Sequence, residues 1–271
     1  MLRQIGNDAT TFGDPMQVIY RFRMLELVPL PERGRVFTGS ATLRLADCTP
    51  GGRARLDALA RILQDVSDDD ARTAGFGDRA WVVRRTVIAV QAFPVYLESV
   101  ELRTWCSGFG AAWAERRISV RGERGGAVES ATLWVQVHPS TLRPVRLDPS
   151  FVEVFGPSAG GRTVSSKPIL PTDPSAGDEC VERPWPLRFS DFDVLAHVNN
   201  AAYWEPVEEE LSGRRALRAP LTAVVEHTLA IERGDDVRWT VLRDDAAADD
   251  FDGWLTSARG VHASLRVARD A

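Results

Sequence analysis

The residues best suited to chemistry are crowded between Asp191 and Asn200, where two carboxylates, a histidine and two asparagines fall within ten positions. Asp193 precedes His197 by one helical turn's worth of chain. A carboxylate can act as a nucleophile or general base, and an imidazole titrating near neutrality can orient it or a water. Beyond them Tyr203, Val207 and Leu211 recur at i, i+4 and i+8, the apolar stripe of a helix. Asn199 and Asn200 suit the start of that helix. A helix start offers free N–H groups and favours negative charge, which is what an oxyanion formed from a thioester or ester carbonyl requires. Pro206 would cost a hydrogen bond inside the helix, so a kink or a late start is expected there. Ahead of the loop, Pro186 to Phe189 reads as a short strand. Each residue also has a plain structural use: Asp193 and the asparagines as caps, His197 bonded to backbone, Tyr203 as core.

The run Ser190-Asp191-Phe192-Asp193, followed by His197-Val198-Asn199-Asn200 and Tyr203, with Glu209 beyond, resembles the signature of hotdog-fold thioesterases. It is closest to that of the acyl-ACP thioesterases of plants and bacteria, which carry two hotdog domains on one chain. Single-domain acyl-CoA thioesterases share the spacing. The resemblance implies Asp193 as nucleophile or general base and His197 as the group that orients it. It further implies that Asn199, Asn200 and Tyr203 hold the loop or the thioester, the Asn200 N–H being an oxyanion donor. Two residues after the aspartate, where the plant-type proteins have asparagine, this chain has Leu195, an apolar choice common in the acyl-CoA enzymes. Those plant-type proteins also draw a glutamate from a later strand. Alignment puts Ile231 there, with the catalytic candidate Glu232 one residue off, a shift that turns a strand side chain to the other face. Glu209 and Glu226 match acidic positions of the family and are read as supporting.

The length of 271 residues allows two ordinary domains with a core each. Charge is uneven: residues 1–150 carry 20 Arg against 17 acidic residues, and the remainder 13 basic against 21 acidic. Arginine supplies nearly all of the basic charge, and no basic run is interleaved with aromatics, which argues against nucleic acid. No apolar run approaches the roughly 20 residues of a membrane span, and the first eleven residues lack a signal-peptide core. Cys48, Cys106 and Cys180 are odd in number and far apart, as expected of reduced thiols in a cytoplasmic protein. His138, His227 and His262 are isolated, and neither a Gly-x-Ser-x-Gly elbow nor a phosphate-binding glycine loop is present, so no metal and no cofactor is expected.

Strand-like runs at Val18–Val28 and Arg35–Leu45 precede a helix in which Leu56, Leu59, Ala60, Leu63 and Val66 share a face. Four further strands are predicted at Trp81–Val90, Val100–Ser107, Trp113–Arg121 and Ala127–His138. Seven of the sixteen prolines then fall between Pro139 and Pro174. This places a linker at 146–180 between domains at 1–145 and 181–271. The second half follows with strands at Leu221–Ile231, Asp236–Arg243, Trp254–Ala258 and Val261–Ala268. A slide of 144 residues lays Leu43-Arg44 on Leu187-Arg188, Asp47 on Asp191 and Asp65 on Glu209, which suggests an internal duplication. The same slide puts Thr49 and Arg53 where the second copy has Asp193 and His197.

The expected fold is α+β, a tandem hotdog whose two antiparallel sheets join into one. The first half would wall the acyl pocket through Leu59 and Leu63, or simply pack as core, and Leu195 would also meet substrate. The expected activity is hydrolysis of fatty acyl-ACP to fatty acid and carrier thiol, within fatty acid biosynthesis. Two alternatives stay open: an acyl-CoA thioesterase, and a catalytically weak acyl-thioester-binding protein. A homodimer is also left open.

Overall fold

The computed structural model describes residues 27–174, 179–214, 216–242 and 249–270. The strand expected at Val18–Val28 lies almost wholly outside them. Within the described residues, alternating apolar and polar side chains build ten strands. The first half has β1 (Phe37–Thr42), β2 (Trp81–Ala92), β3 (Ser99–Phe109), β4 (Trp113–Gly122) and β5 (Ala127–Gln136). The second has β6 (Cys180–Pro184), β7 (Leu221–His227), β8 (Arg238–Leu242), β9 (Asp250–Ser257) and β10 (Gly260–Arg269). All ten join one antiparallel sheet in the order β1-β3-β4-β5-β2-β7-β10-β9-β8-β6. Read outward from the β2–β7 seam, each strand of one half meets its counterpart in the other at the same place. This is the α+β architecture of two hotdogs sharing a sheet.

One helix serves each half. In α1 (Leu56–Thr73), Leu56, Leu59, Leu63 and Val66 are buried against Ile88, Val90, Leu102, Ile118 and Val128 of the sheet. A tight 3-10 turn at Ala202–Trp204 leads into α3 (Glu205–Gly213). Pro206 sits in the first turn of α3, where its missing N–H would have had no partner, so the helix does begin late. Tyr203, Trp204, Val207 and Leu211 then face Val225, Leu265 and Val267, and both helices belong to a single continuous core. The strand expected at Pro186–Phe189 is absent; β6 ends at Pro184, and Phe189–Asp191 form a 3-10 turn instead. Asp191 causes this by accepting the Arg188 N–H at 2.7 Å, a local bond that competes with a ladder.

The proline-rich stretch is more structured than its composition suggested. It opens with α2 (Pro149–Ala159), capped by Asp148, whose carboxylate takes the Ser150 N–H at 2.9 Å. Pro149 occupies the first turn, and Gly160 closes the helix at φ 59°, a left-handed value that glycine adopts without strain. Phe151 and Phe155 stack among Phe76, Trp81 and Phe109 and fix the helix to the first half. The chain next crosses the back of the seam. There Glu226 of β7 lies opposite Arg85 of β2 in a buried pair at 3.2 Å, and also takes the Ile169 and Leu170 N–H groups at 3.0 and 2.9 Å. Arg85 in turn donates to the Lys167 carbonyl at 3.2 Å. One carboxylate thus ties both halves and the crossing segment together.

Glu226→Ala would leave Arg85 buried without its partner and two N–H groups without an acceptor. Urea unfolding is expected to register a loss of about 3–5 kcal/mol, with Glu226→Gln, which keeps an acceptor, losing less.

Candidate active site

The loop from Arg188 to Asn200 is held by its own backbone. Asp193 donates its N–H to the His197 carbonyl at 3.0 Å, and Ala196 donates to the Asp193 carbonyl at 3.0 Å. Ala196 closes this tight turn with a left-handed φ of 61°. Asn199 donates to the Asp191 carbonyl at 2.8 Å and accepts the Ala201 N–H on its side chain at 2.9 Å, so it caps the turn that follows. The Asp193 Oδ1 accepts the Leu195 N–H at 2.9 Å, which fixes the carboxylate while leaving Oδ2 without a partner among the described residues. The loop therefore presents a half-buried carboxylate and a half-buried imidazole in a set geometry.

Tyr203 braces this loop from below. Its hydroxyl accepts the Ile231 N–H at 3.0 Å, and burial, with Asp235 and Asp193 nearby, pushes its pKa up to about 12 against the pull of that bond. The phenol thus stays protonated. Behind it His227 packs edge-on, ring centroids 4.6 Å apart. Burial, assisted by Arg84, lowers the His227 pKa to about 3, so this imidazole is neutral.

Facing the loop across the domain junction is the polar rim of α1. The Asn200 amide donates to the Gln64 Oε1 at 3.3 Å. A narrow cleft of about 20 Å³ opens beside this contact, lined by Leu63, Ser67, Thr86, Thr132 and Trp134 as well as Asn200. Among the described residues, the Asn200 backbone N–H has no acceptor. It is a donor without a partner in the turn that precedes the 3-10 turn at Ala202–Trp204, seven positions along the chain from the fixed Asp193 carboxylate. A donor and a carboxylate are elements an acyl-transfer site needs.

Residues 34–155 match the acyl-ACP thioesterase N-terminal domain, and residues 175–258 match the acyl-ACP thioesterase C-terminal domain. An uncharacterized protein of Mycobacterium tuberculosis is 34% identical over 214 residues, spanning 78% of this chain and 84% of its own. The chain belongs to the acyl-ACP thioesterase family. It is also similar to the Arabidopsis thaliana chloroplastic oleoyl-acyl carrier protein thioesterase 1, at 25% identity over 66% of this chain and 56% of that one. Among solved structures, the 12:0-ACP thioesterase of Umbellularia californica superposes with a TM-score of 0.69 at 20% identity, over 87% of this chain and 97% of that one. At that identity the superposition speaks for the fold. Membership of this family makes the chain a thioesterase, a thioester hydrolase.

In the thioesterase, Asp193, His197 and Asn199 share one hydrogen-bonded loop, and Tyr203 lies close enough to Asp193 to feel its charge. Asn200 meets Gln64 and the cleft, which neither Asp193 nor His197 lines. Leu195 lies at the exposed tip of the loop, 70% accessible, next to a fully exposed Val194. Glu232 is exposed and pairs with Arg259 at 3.0 Å on the far side of Ile231. Leu59 is buried in the core and does not line the cleft, whereas Leu63 is in the core and also lines it. Gln64 escaped the sequence reading because it lies 136 positions from Asn200. Only the 144-residue offset, which lays it on Glu208, could have singled it out.

The buried His227 makes stability depend on pH. Its folded pKa lies below its unfolded one, so the unfolded chain binds a proton that the folded chain refuses. Stability contributed by neutral burial is full above pH ~6.5 and is lost on acidification toward about 3. The slope is up to about 1.4 kcal/mol per pH unit. In urea titrations between pH 7 and 5, His227→Gln is expected to flatten this decline relative to the parent.

Proposed function

We propose that the thioesterase hydrolyses fatty acyl-ACP in the cytoplasm, releasing free fatty acid for lipid metabolism and the carrier thiol. The second half does the chemistry, and the first half walls the acyl chain. The observation that carries this reading is that one short loop holds a fixed Asp193 carboxylate and an Asn200 N–H unclaimed among the described residues. In the first half, by contrast, Thr49 stands at the position of Asp193 and Glu208 takes the matching Leu56 N–H. As general base, Asp193 takes a proton from water while the water oxygen bonds to the thioester carbon. The carbonyl oxygen gains the negative charge, and the Asn200 N–H meets it. Collapse of this intermediate breaks the C–S bond, and the proton held by Asp193 passes to the sulfur, giving acid and thiol. As nucleophile, Asp193 would instead bond to the thioester carbon and expel the thiolate as the C–S bond breaks. Water would then open the resulting anhydride, restoring the carboxylate and releasing the acid and the proton that the thiolate takes up. His197 orients the carboxylate or the water, and Tyr203 keeps the loop at its level.

Glu232 supports rather than reacts in this scheme. Its carboxylate holds Arg259, and the neighbouring Ile231 N–H anchors Tyr203. Leu195, at the loop tip, is positioned to meet the arriving carrier arm rather than the acyl chain. The name of a relative, an oleoyl-acyl carrier protein thioesterase, supports the carrier. Turnover of acyl-ACPs and acyl-CoAs of graded length tests it directly. Faster turnover on CoA substrates would replace the carrier, and binding without turnover would replace the activity.

Asp193→Asn keeps the Leu195 contact yet removes the charge. A fall in kcat of at least about 100-fold is expected, with a urea midpoint close to the parent's. Leu63→Ala separates two roles for the cleft wall. As a pocket residue it should shift preference toward longer or bulkier acyl chains with kcat preserved. As core alone it should cost about 2–5 kcal/mol without changing the preference.

A further inference from the structure

The 144-residue offset seen in sequence is a physical superposition of the two helix-entry loops. Arg44 N–H to the Asp47 carboxylate at 2.8 Å matches Arg188 N–H to the Asp191 carboxylate at 2.7 Å. Thr49 N–H to Arg53 O at 2.8 Å matches Asp193 N–H to His197 O at 3.0 Å. Arg55 N–H to Asp47 O at 2.9 Å matches Asn199 N–H to Asp191 O at 2.8 Å. The short bridge between Cys48 and Ala54 recurs between Phe192 and Val198. Every one of these pairs is related by the same 144 positions, so the loops correspond residue by residue. Leu56 is therefore the counterpart of Asn200, Arg53 of His197, and Gln64 of Glu208.

The two loops differ in what the opposite helix sends to meet them. In the first half, Glu208 of α3 reaches across and takes the Leu56 N–H on Oε2 at 3.1 Å. It also pairs with Arg53 at 2.6 Å. A carboxylate oxygen thus occupies the very N–H whose counterpart in the second half, the Asn200 N–H, has no acceptor among the described residues. In the second half the reaching residue is Gln64, which accepts from the Asn200 side chain and leaves the Asn200 N–H alone. No charged side chain is among the residues lining the adjoining cleft.

We propose that Gln64, although carried by the first half, is a positioning residue of the second half's site: its neutral amide steadies Asn200 and keeps the Asn200 N–H open for an oxyanion. A carboxylate at position 64 would close that donor as Glu208 closes the Leu56 N–H. This rests on the reading of the Asn200 N–H as oxyanion donor. The relevant chemistry is direct: an anion already hydrogen-bonded to the N–H must be displaced, and its charge repels the developing oxyanion. A protonated carboxyl has no charge to repel the oxyanion and holds the N–H more weakly.

Gln64→Glu is the deciding variant, with Gln64→Leu as a neutral control that removes only the hydrogen bond. Each is assayed with lauroyl-ACP and lauroyl-CoA beside the parent from pH 8 to 5. Gln64→Glu is expected to lose at least about 100-fold in kcat at pH 8 and to recover relative to the parent as pH falls and the introduced carboxylate takes up a proton. Taking the ratio to the parent removes the pH dependence that both proteins share. Gln64→Leu is expected to lose roughly 10-fold with a pH-independent ratio. A Gln64→Glu protein that matches the parent at every pH, or that falls with the control by a constant ratio, would overturn the inference. A second readout needs no turnover. In ¹⁵N-labelled Gln64→Glu protein the Asn200 amide proton should titrate together with the introduced carboxylate, and an amide that does not respond overturns the inference equally. Asp193→Asn separates the two levels: if that variant stays active the site reading itself fails, whereas an inactive Asp193→Asn beside an active Gln64→Glu removes only the role of Gln64.

Discussion

The antiparallel pairing of β2 with β7 is the constraint on which the rest depends. It turns two five-stranded sheets into one, and it fixes the position of α1 relative to the loop before α3. Without it the helix entry of each half would face water, and neither Gln64 nor Glu208 would find its partner. Backbone hydrogen bonds alone do not set the register of such a seam. The buried Arg85–Glu226 pair does so, since a slip of one strand by one residue would turn its charge to the opposite face and leave the other buried without its partner. By also gathering the Ile169 and Leu170 N–H groups, Glu226 couples the crossing segment to the same register.

Around that seam the polar interactions are distributed unevenly. Among the described residues, Asp193 is restrained by one backbone N–H and has an oxygen to spare, whereas Glu226 and Glu208 have their oxygens committed to N–H groups and arginines. The two buried carboxylates at the junction are saturated, and the one proposed for chemistry is not. The same contrast separates two histidines. His227 is sealed behind Tyr203 and held neutral, while His197 stands half-buried in the loop.

Much of this was legible in the residue order. Strand alternation from Trp81 onward and the apolar face of Leu56, Leu59, Leu63 and Val66 located nearly every element, because both periodicities are local properties of the chain. The loop from Asp191 to Asn200 stood out because its polar residues are too dense for a plain turn. What was not legible depended on side chains meeting across long sequence separations. The Arg53–Glu208 pair and the Gln64–Asn200 bond join residues 155 and 136 positions apart, and no local pattern announces them. The helix at Pro149–Ala159 was hidden for another reason. Proline counts as a breaker by composition, yet at a first turn it removes no hydrogen bond, and only the preceding Asp148 cap discloses the difference. The strand expected at Pro186–Phe189 failed through the opposite error, since Asp191 bends the backbone back upon Arg188.

The unlike residues at the two crossings, glutamine in one and glutamate in the other, bear on why the halves share a chain. In an assembly of identical subunits every substitution arrives twice, so both crossings would have to carry the same residue. A carboxylate that secures one junction would then also block the other. Covalent fusion lifts that obligation, because each copy of the duplicated unit can change alone. One crossing is then free to become a rivet and the other to remain a doorway, with the sheet between them still nearly two-fold.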